Sequence, residues 1–209
     1  MNVLDLCSGI GGSSLGLERA GARTSAFCEI SEQCRHILAR NWPNVRSFRD
    51  IRTLDAEQIA SMGTIDAIAA GFPCQNISLA GDGAGLSGDR SILFWQVIRI
   101  VRVVRPRVVL LENVEALLGR GMGEVLGALA SEGYDAEWDC IRAFDAGRPH
   151  VRKRIFIVAY AAGDRWGPGR EGGLADGLAW LPVIPCVNVN ASIYFSDLDQ
   201  IYGRQNHER

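Results

Sequence analysis

The sequence predicts an α/β protein built on a doubly wound, mostly parallel sheet, and three observations carry that expectation. Short apolar runs of strand length alternate with helix-like segments from residue 2 onward. Several of the runs are apolar at successive positions, the pattern of strands covered on both faces. A glycine-rich turn, "CSGIGG" at 7–12, joins the first run to the first helix-like segment, as happens where such a sheet cradles a ligand.

In chain order, residues 2–6 are the first strand, and after the glycine turn "LGLERAG" (15–21) reads as helix. "TSAFCEI" (24–30) is the second strand, and Ser31 suits the N-cap of a helix over "SEQCRHILARNW". A weaker third strand near 45–48 gives way to Asp50 and Ile51. "IDAIAAG" (65–71) is the fourth strand, followed by a glycine-rich loop at 81–88, a helix over 91–104 and a fifth strand, "RVVLLENV" (107–114). A helix near 122–132 then leads to two closing strands, "YDAEWDCIRAF" (134–144) and "KRIFIVAY" (153–160), joined by "DAGRPHVR".

The bulk properties narrow the function classes. The 209 residues are 47% hydrophobic and 22% charged, ordinary globular proportions for one domain or one domain with an appendage. No apolar stretch approaches the ~20 residues of a bilayer span, and no basic flank leads into a signal-type segment. The expectation is a cytoplasmic protein without membrane contact. Six cysteines occur without a C-x-x-C pair or a Cys/His cluster, so neither a disulfide framework nor a metal site is expected. The formal net charge is −2, yet residues 142–170 carry seven cationic side chains against Asp145 and Asp164, a net +5. That segment can face phosphates while the whole chain stays acidic. From about 163 onward Gly, Pro, Trp and acidic residues dominate without helical period, so the expected division is a domain over 1–162 and an atypical tail over 163–209.

In a doubly wound sheet, ligands bind at the carboxyl ends of the strands. The glycine turn, Glu29, Asp50, Cys74 and Glu112 all fall there. Glu29, about twenty residues after the turn, can accept from ribose hydroxyls, although a purely structural turn or a nicotinamide-type dinucleotide site fits the same pattern. Asp50 suits an adenine amino group or simply closes a loop. Cys74 follows Pro73, which fixes φ and lacks an N–H, and a thiolate there is a strong nucleophile that Arg152 and Arg154 can help to ionise. Cys7, Cys28, Cys34, Cys140 and Cys186 read as small core residues. A right-handed crossover through the 91–104 helix lays the strand ending in Glu112 in the same sheet as the strand before Cys74. A carboxylic acid there can protonate a ring nitrogen while the thiolate adds to a neighbouring carbon.

"DLCSGIGG", "GFPCQNIS", "DRSILFWQVIRIV", "RPRVVLLENV" and "DAGRPHVRKRIFIVA" resemble, in this order, the motifs of DNA cytosine-5 methyltransferases over about residues 2–160. The resemblance implies the Rossmann-like methyltransferase fold, S-adenosyl-L-methionine as methyl donor, no metal, and double-stranded DNA with a flipped cytosine as acceptor. It implies that Cys74 attacks C6, that Glu112 holds and protonates N3, and that Arg154, less directly Arg152, holds the cytosine and supports the thiolate. Cys7, Ser8, Gly9, Ile10, Gly11, Glu29, Ile30, Asp50, Ile51 and Leu93 resemble the cofactor pocket. The chain departs from the pattern at Cys7, where the family commonly has phenylalanine, at His150 for glutamine and at Ser91 for glycine. A larger departure follows Tyr160. Only 49 residues remain and they lack a Gly-Asn pair, where the family carries a recognition region of ~100 residues, the size of a small domain, and a last Gly-Asn motif. Four arrangements stay open: a catalytic chain whose recognition half is a separate subunit, a compact enzyme of phage or mobile-element type, a remnant that binds the donor without methylating, and a relative acting on tRNA cytosine.

Overall fold

The computed structural model describes residues 1–73, 92–149 and 151–162. Its elements are β1 (Asn2–Leu6), α1 (Gly12–Arg19), β2 (Arg23–Cys28), α2 (Glu32–Asn41), β3 (Arg46–Phe48), α3 (Ala56–Ala60), β4 (Ala67–Gly71), α4 (Ile92–Val104), β5 (Val108–Val114), α5 (Leu117–Arg120), α6 (Met122–Ser131), β6 (Tyr134–Arg142) and β7 (Lys153–Ala161). The strands form one sheet in the order β3-β2-β1-β4-β5-β7-β6. The first five are parallel, and β7 enters antiparallel between β5 and β6. The expected mostly parallel, doubly wound sheet is therefore present, and each expected strand lies where its apolar run does.

The period of two along each strand divides the core between the two faces. Leu4 and Leu6, Ile68 and Ala70, Val109 and Leu111, and Ile155, Ile157 and Ala159 build the larger cluster. Phe94, Val97, Ile98 and Val101 of α4 join it at the spacing of one helix face. On the other face Val3, Ala67 and Ala69 pack with Leu17 of α1. The small alanines of β4 let that helix lie close to the sheet.

Two helices were not legible. α3 has five residues and one buried side chain, but its start carries a capping box in which Asp55 accepts from the Gln58 amide at 2.7 Å and Gln58 accepts in return at 3.1 Å. α5 has four residues, too few to show a period. At α2 the expected cap is present: the Ser31 hydroxyl accepts from the Cys34 amide at 3.3 Å.

Candidate active site

Parallel register brings the strand ends into one line. Leu6 pairs with Cys28 and Ala70, Cys28 with Phe48, and Gly71 with Glu112. The residues that follow, Cys7, Glu29, Asp50 and Phe72-Pro73, thus leave the sheet along one edge, as the strand-end reading expects.

The turn after β1 is held from below and from the side. The Ser8 hydroxyl donates to the Asp5 carbonyl at 2.7 Å and lies 3.3 Å from the Cys28 amide, which donates to it. Cys7 and Gly9 both adopt positive φ, +52° and +54°. For Cys7 that conformation costs about 1 kcal/mol or more. Gly11, at φ +88°, has no room for a side chain, because a Cβ there would lie 2.7 Å from the Trp42 ring and 2.9 Å from Leu38. A Cβ on Gly9 would meet nothing within 4 Å, so space opens above the turn at that residue.

Glu29 is buried and grips two backbone amides. One carboxylate oxygen accepts from Gly9 N–H at 2.8 Å and the other from Ser31 N–H at 2.8 Å. It therefore clasps the turn to the start of α2, and only the remaining lone pairs are left for ribose hydroxyls. Asp50 is held by its neighbour Arg52, whose guanidinium reaches both oxygens at 2.6 to 3.1 Å. The Arg52 hydrogen bonds hold the Asp50 carboxyl below the usual range. Ile30 is 60% exposed, an apolar surface at the rim, whereas Ile51 is 4% exposed and belongs to the core. Ile10 is half-buried, and Leu93 packs partly buried against the larger cluster.

At the end of β5 the Glu112 carboxylate pairs with Arg154 Nε at 2.8 Å, with about a quarter of each side chain exposed. The antiparallel entry of β7 sets this contact, since Arg154 lies opposite Val114 and Phe156 opposite Glu112. The other carboxylate oxygen stands over Gly71: a Cβ there would lie 3.4 Å from Glu112 Oε2 and 3.6 Å from the Cys7 carbonyl. Gly71 is thus the meeting point of the acid and the glycine turn. Arg152 is exposed just before β7, and its carbonyl accepts from the Ala143 amide at 2.7 Å. Cys74, expected as the nucleophile, lies outside the described residues, as do Ser91, His150, Cys186, the 81–88 loop and the 163–209 tail.

Burial, then the neighbouring Glu29, pushes the Cys7 thiol up to about 12, and burial, then Cys7, does the same to Cys28. Both stay protonated at neutral pH, and so are poor nucleophiles, in line with their reading as core thiols. Three residues at the site escaped the sequence reading. Asp5, fully buried, accepts from the Ser14 hydroxyl at 2.7 Å; Arg52 fixes Asp50; and Asn113 bridges β5 to Phe72 at 3.0 Å. A polar residue inside an apolar strand run is a readable signal for the first and the last.

The model of the C-5 cytosine-specific DNA methylase family matches residues 1–173. The type II methyltransferase M2.BsuMI of Bacillus subtilis is 34% identical over 167 residues, which are 76% of this chain and 42% of that protein. M.NgoBI of Neisseria gonorrhoeae is 35% identical over 76% of this chain and 50% of its own length. The chain thus spans about half the length of these relatives. A structure of a candidate DNA modification methyltransferase encoded within an E. coli prophage matches at TM-score 0.63 and 31% identity, over 77% of this chain and 47% of the other. The S. pombe Dnmt2 methyltransferase matches in fold at TM-score 0.65 and 24% identity, over 77% and 51%. Among the described residues no helix is long and apolar enough to cross a membrane.

Proposed function

The chain belongs to the C-5 cytosine-specific DNA methylase family, and from that premise we propose that it transfers a methyl group from S-adenosylmethionine to C5 of cytosine in DNA through a covalent bond from Cys74 to C6. The observation that carries this reading is the Glu112 carboxylate, oriented by Arg154 and standing over Gly71, three residues before Cys74 in the chain.

The residues present suit the donor. The open space above Gly9, the clasped turn, the carboxylates of Glu29 and Asp50 and the exposed Ile30 together offer acceptors for ribose hydroxyls and an adenine amino group beside an apolar face. Ser8, Gly9, Ile10 and Gly11 with Glu29, Ile30, Asp50 and Leu93 would hold it, Ile51 supporting the wall from the core and Cys7 presenting a backbone carbonyl rather than an aromatic ring. When bound, S-adenosylmethionine supplies an activated methyl group on its sulfonium. Cys74 adds its thiolate to C6 of the flipped base while Glu112 delivers a proton to N3, and C5 becomes the nucleophile that takes the methyl. A base then takes the C5 proton, the freed electron pair expels the Cys74 thiolate, and N3 returns its proton to Glu112, which restores the ring. Arg154 fixes one oxygen of Glu112 and so presents the other to the base, with Arg152 beside it toward solvent.

Residues 1–162 would carry this chemistry. A second reading has its own observation. Because residues 171–209 carry five acids against two arginines, the wrong balance for a segment that meets phosphates by itself, transfer that awaits a second, DNA-reading polypeptide fits equally well. One experiment tests both: transfer of labelled methyl from S-adenosylmethionine to mixed-sequence DNA, beside donor binding by calorimetry. Transfer that Cys74→Ser abolishes, with donor affinity kept, supports the first reading. Donor binding without transfer supports the second, and wild-type turnover in Cys74→Ser refutes the nucleophile.

A further inference from the structure

Asn113 occupies a position where β5 would ordinarily carry an apolar side chain. Val109 and Leu111 precede it on the same face, both fully buried, and Asn113 itself is 4% exposed. A buried carboxamide is tolerated only when its groups are hydrogen-bonded, and here both ends are used. Nδ2 donates to the Phe72 carbonyl at 3.0 Å and Oδ1 accepts from the Val114 amide at 2.8 Å.

The place of that bridge is informative. The backbone ladder between β4 and β5 ends at Gly71 and Glu112, and Pro73 has no N–H with which to extend it. The Asn113 side chain takes over where the backbone cannot, and pins the Phe72 carbonyl one residue past the strand. The Phe72–Pro73 peptide is trans, as are all described peptide bonds, and the proline ring locks φ at about −65°. Once the Phe72 carbonyl is fixed, ψ of Pro73 is the one soft torsion left before the α-carbon of residue 74.

We infer that Asn113 is a positioning residue: by holding the Phe72 carbonyl against β5 it sets where the chain leaves β4 toward Cys74, relative to the Glu112 carboxylate one residue away on its own strand. This rests on the proposed roles of Cys74 and Glu112. It makes the two reacting groups depend on a single carboxamide, and a displacement of about 1 Å at such a site costs on the order of 100-fold in rate.

The test uses the full chain with two variants. Asn113→Ser keeps a polar group but is too short to reach Phe72, and Asn113→Asp keeps the shape but turns an acceptor toward the carbonyl. Donor affinity is measured by calorimetry, and methyl transfer in a single turnover at saturating DNA. The pH profile of Cys74 alkylation by iodoacetamide is followed by peptide mapping. Expected are donor affinity within about twofold of the parent, transfer slower by roughly 100-fold and a displaced Cys74 profile, the last being a change that mere filling of the core would not produce. Folded variants with parental transfer and a superposable Cys74 profile would overturn the inference. If one variant does not fold, the other decides. If the parent itself transfers no methyl, the proposed function is what fails for this chain alone, and the alkylation profiles still settle the role of Asn113.

Discussion

Asp5 shows at the scale of one residue how the site is supported. It sits on the α1 side of β1, where its neighbours on the sheet are Val3, Ala67 and Ala69, and it is 1% exposed. Ser14, in the first turn of α1, donates to one oxygen, while the other has no hydrogen-bond partner among the described residues. Burial pushes the carboxyl up from 3.8 to about 7 against the opposing Ser14 hydrogen bonds, with nearby Glu29 adding a smaller push. The sign follows from linkage. A group whose pKa is raised on folding binds more protons folded than unfolded between 3.8 and about 7. Its contribution is therefore full below that window, declines as pH rises through it and levels off above, a loss of up to roughly 4 kcal/mol. Asp5→Asn does not titrate. Urea midpoints measured at pH 5 and pH 8 should fall for the parent and change less for Asp5→Asn, and parallel behaviour of the two would refute this account of Asp5.

Between elements, the Glu29 clasp makes the glycine turn and α2 a single unit. A carboxylate can accept from two amides at once through two equivalent oxygens, and Glu29 does so with Gly9 and Ser31. In Glu29→Gln one oxygen becomes an NH2 that faces an N–H, so one hydrogen bond to a charged group is lost and a donor is left opposed. Such a loss is worth roughly 1.5–3 kcal/mol, and donor affinity by calorimetry should weaken by about tenfold or more. Parental affinity would show that the turn keeps its shape without the clasp. Glu29 could be read from the sequence as a strand-end acid, because an apolar run stops at it, but its partners are backbone amides that no side-chain pattern reveals. The same limit applies elsewhere. The closing strands were legible as apolar runs, yet nothing local says that β7 enters between β5 and β6, and that insertion is what sets Arg154 against Glu112. Short α3 escaped although Asp55 and Gln58 stand at capping-box spacing, because one buried residue creates no period. Asn113 stands within an apolar strand run, but its task depends on the carbonyl of a residue 41 positions away.

For the whole molecule the distribution of charge decides more than its sum. The chain is acidic overall, yet residues 142–170 carry a net +5. Within it the fold neutralises part of that charge: Arg142 pairs with Asp145, Lys153 with Glu115 and Arg154 with Glu112. Arg148 and Arg152 make no ion pair among the described residues, and Arg165 and Arg170 lie beyond them. The surface pairs are weak, worth about 1 kcal/mol or less, but the Glu112 pair belongs to the proposed chemistry and is not available to a phosphate. Phosphate contact should thus fall to about four cations rather than seven. Since each phosphate neutralised contributes about −0.9 to the slope of log affinity against log salt, titration of mixed-sequence duplex DNA at several salt concentrations should give a slope of roughly −3 to −4. A slope near −6 would mean that the paired arginines and lysine open toward DNA. A slope near zero would mean that this stretch does not face the duplex.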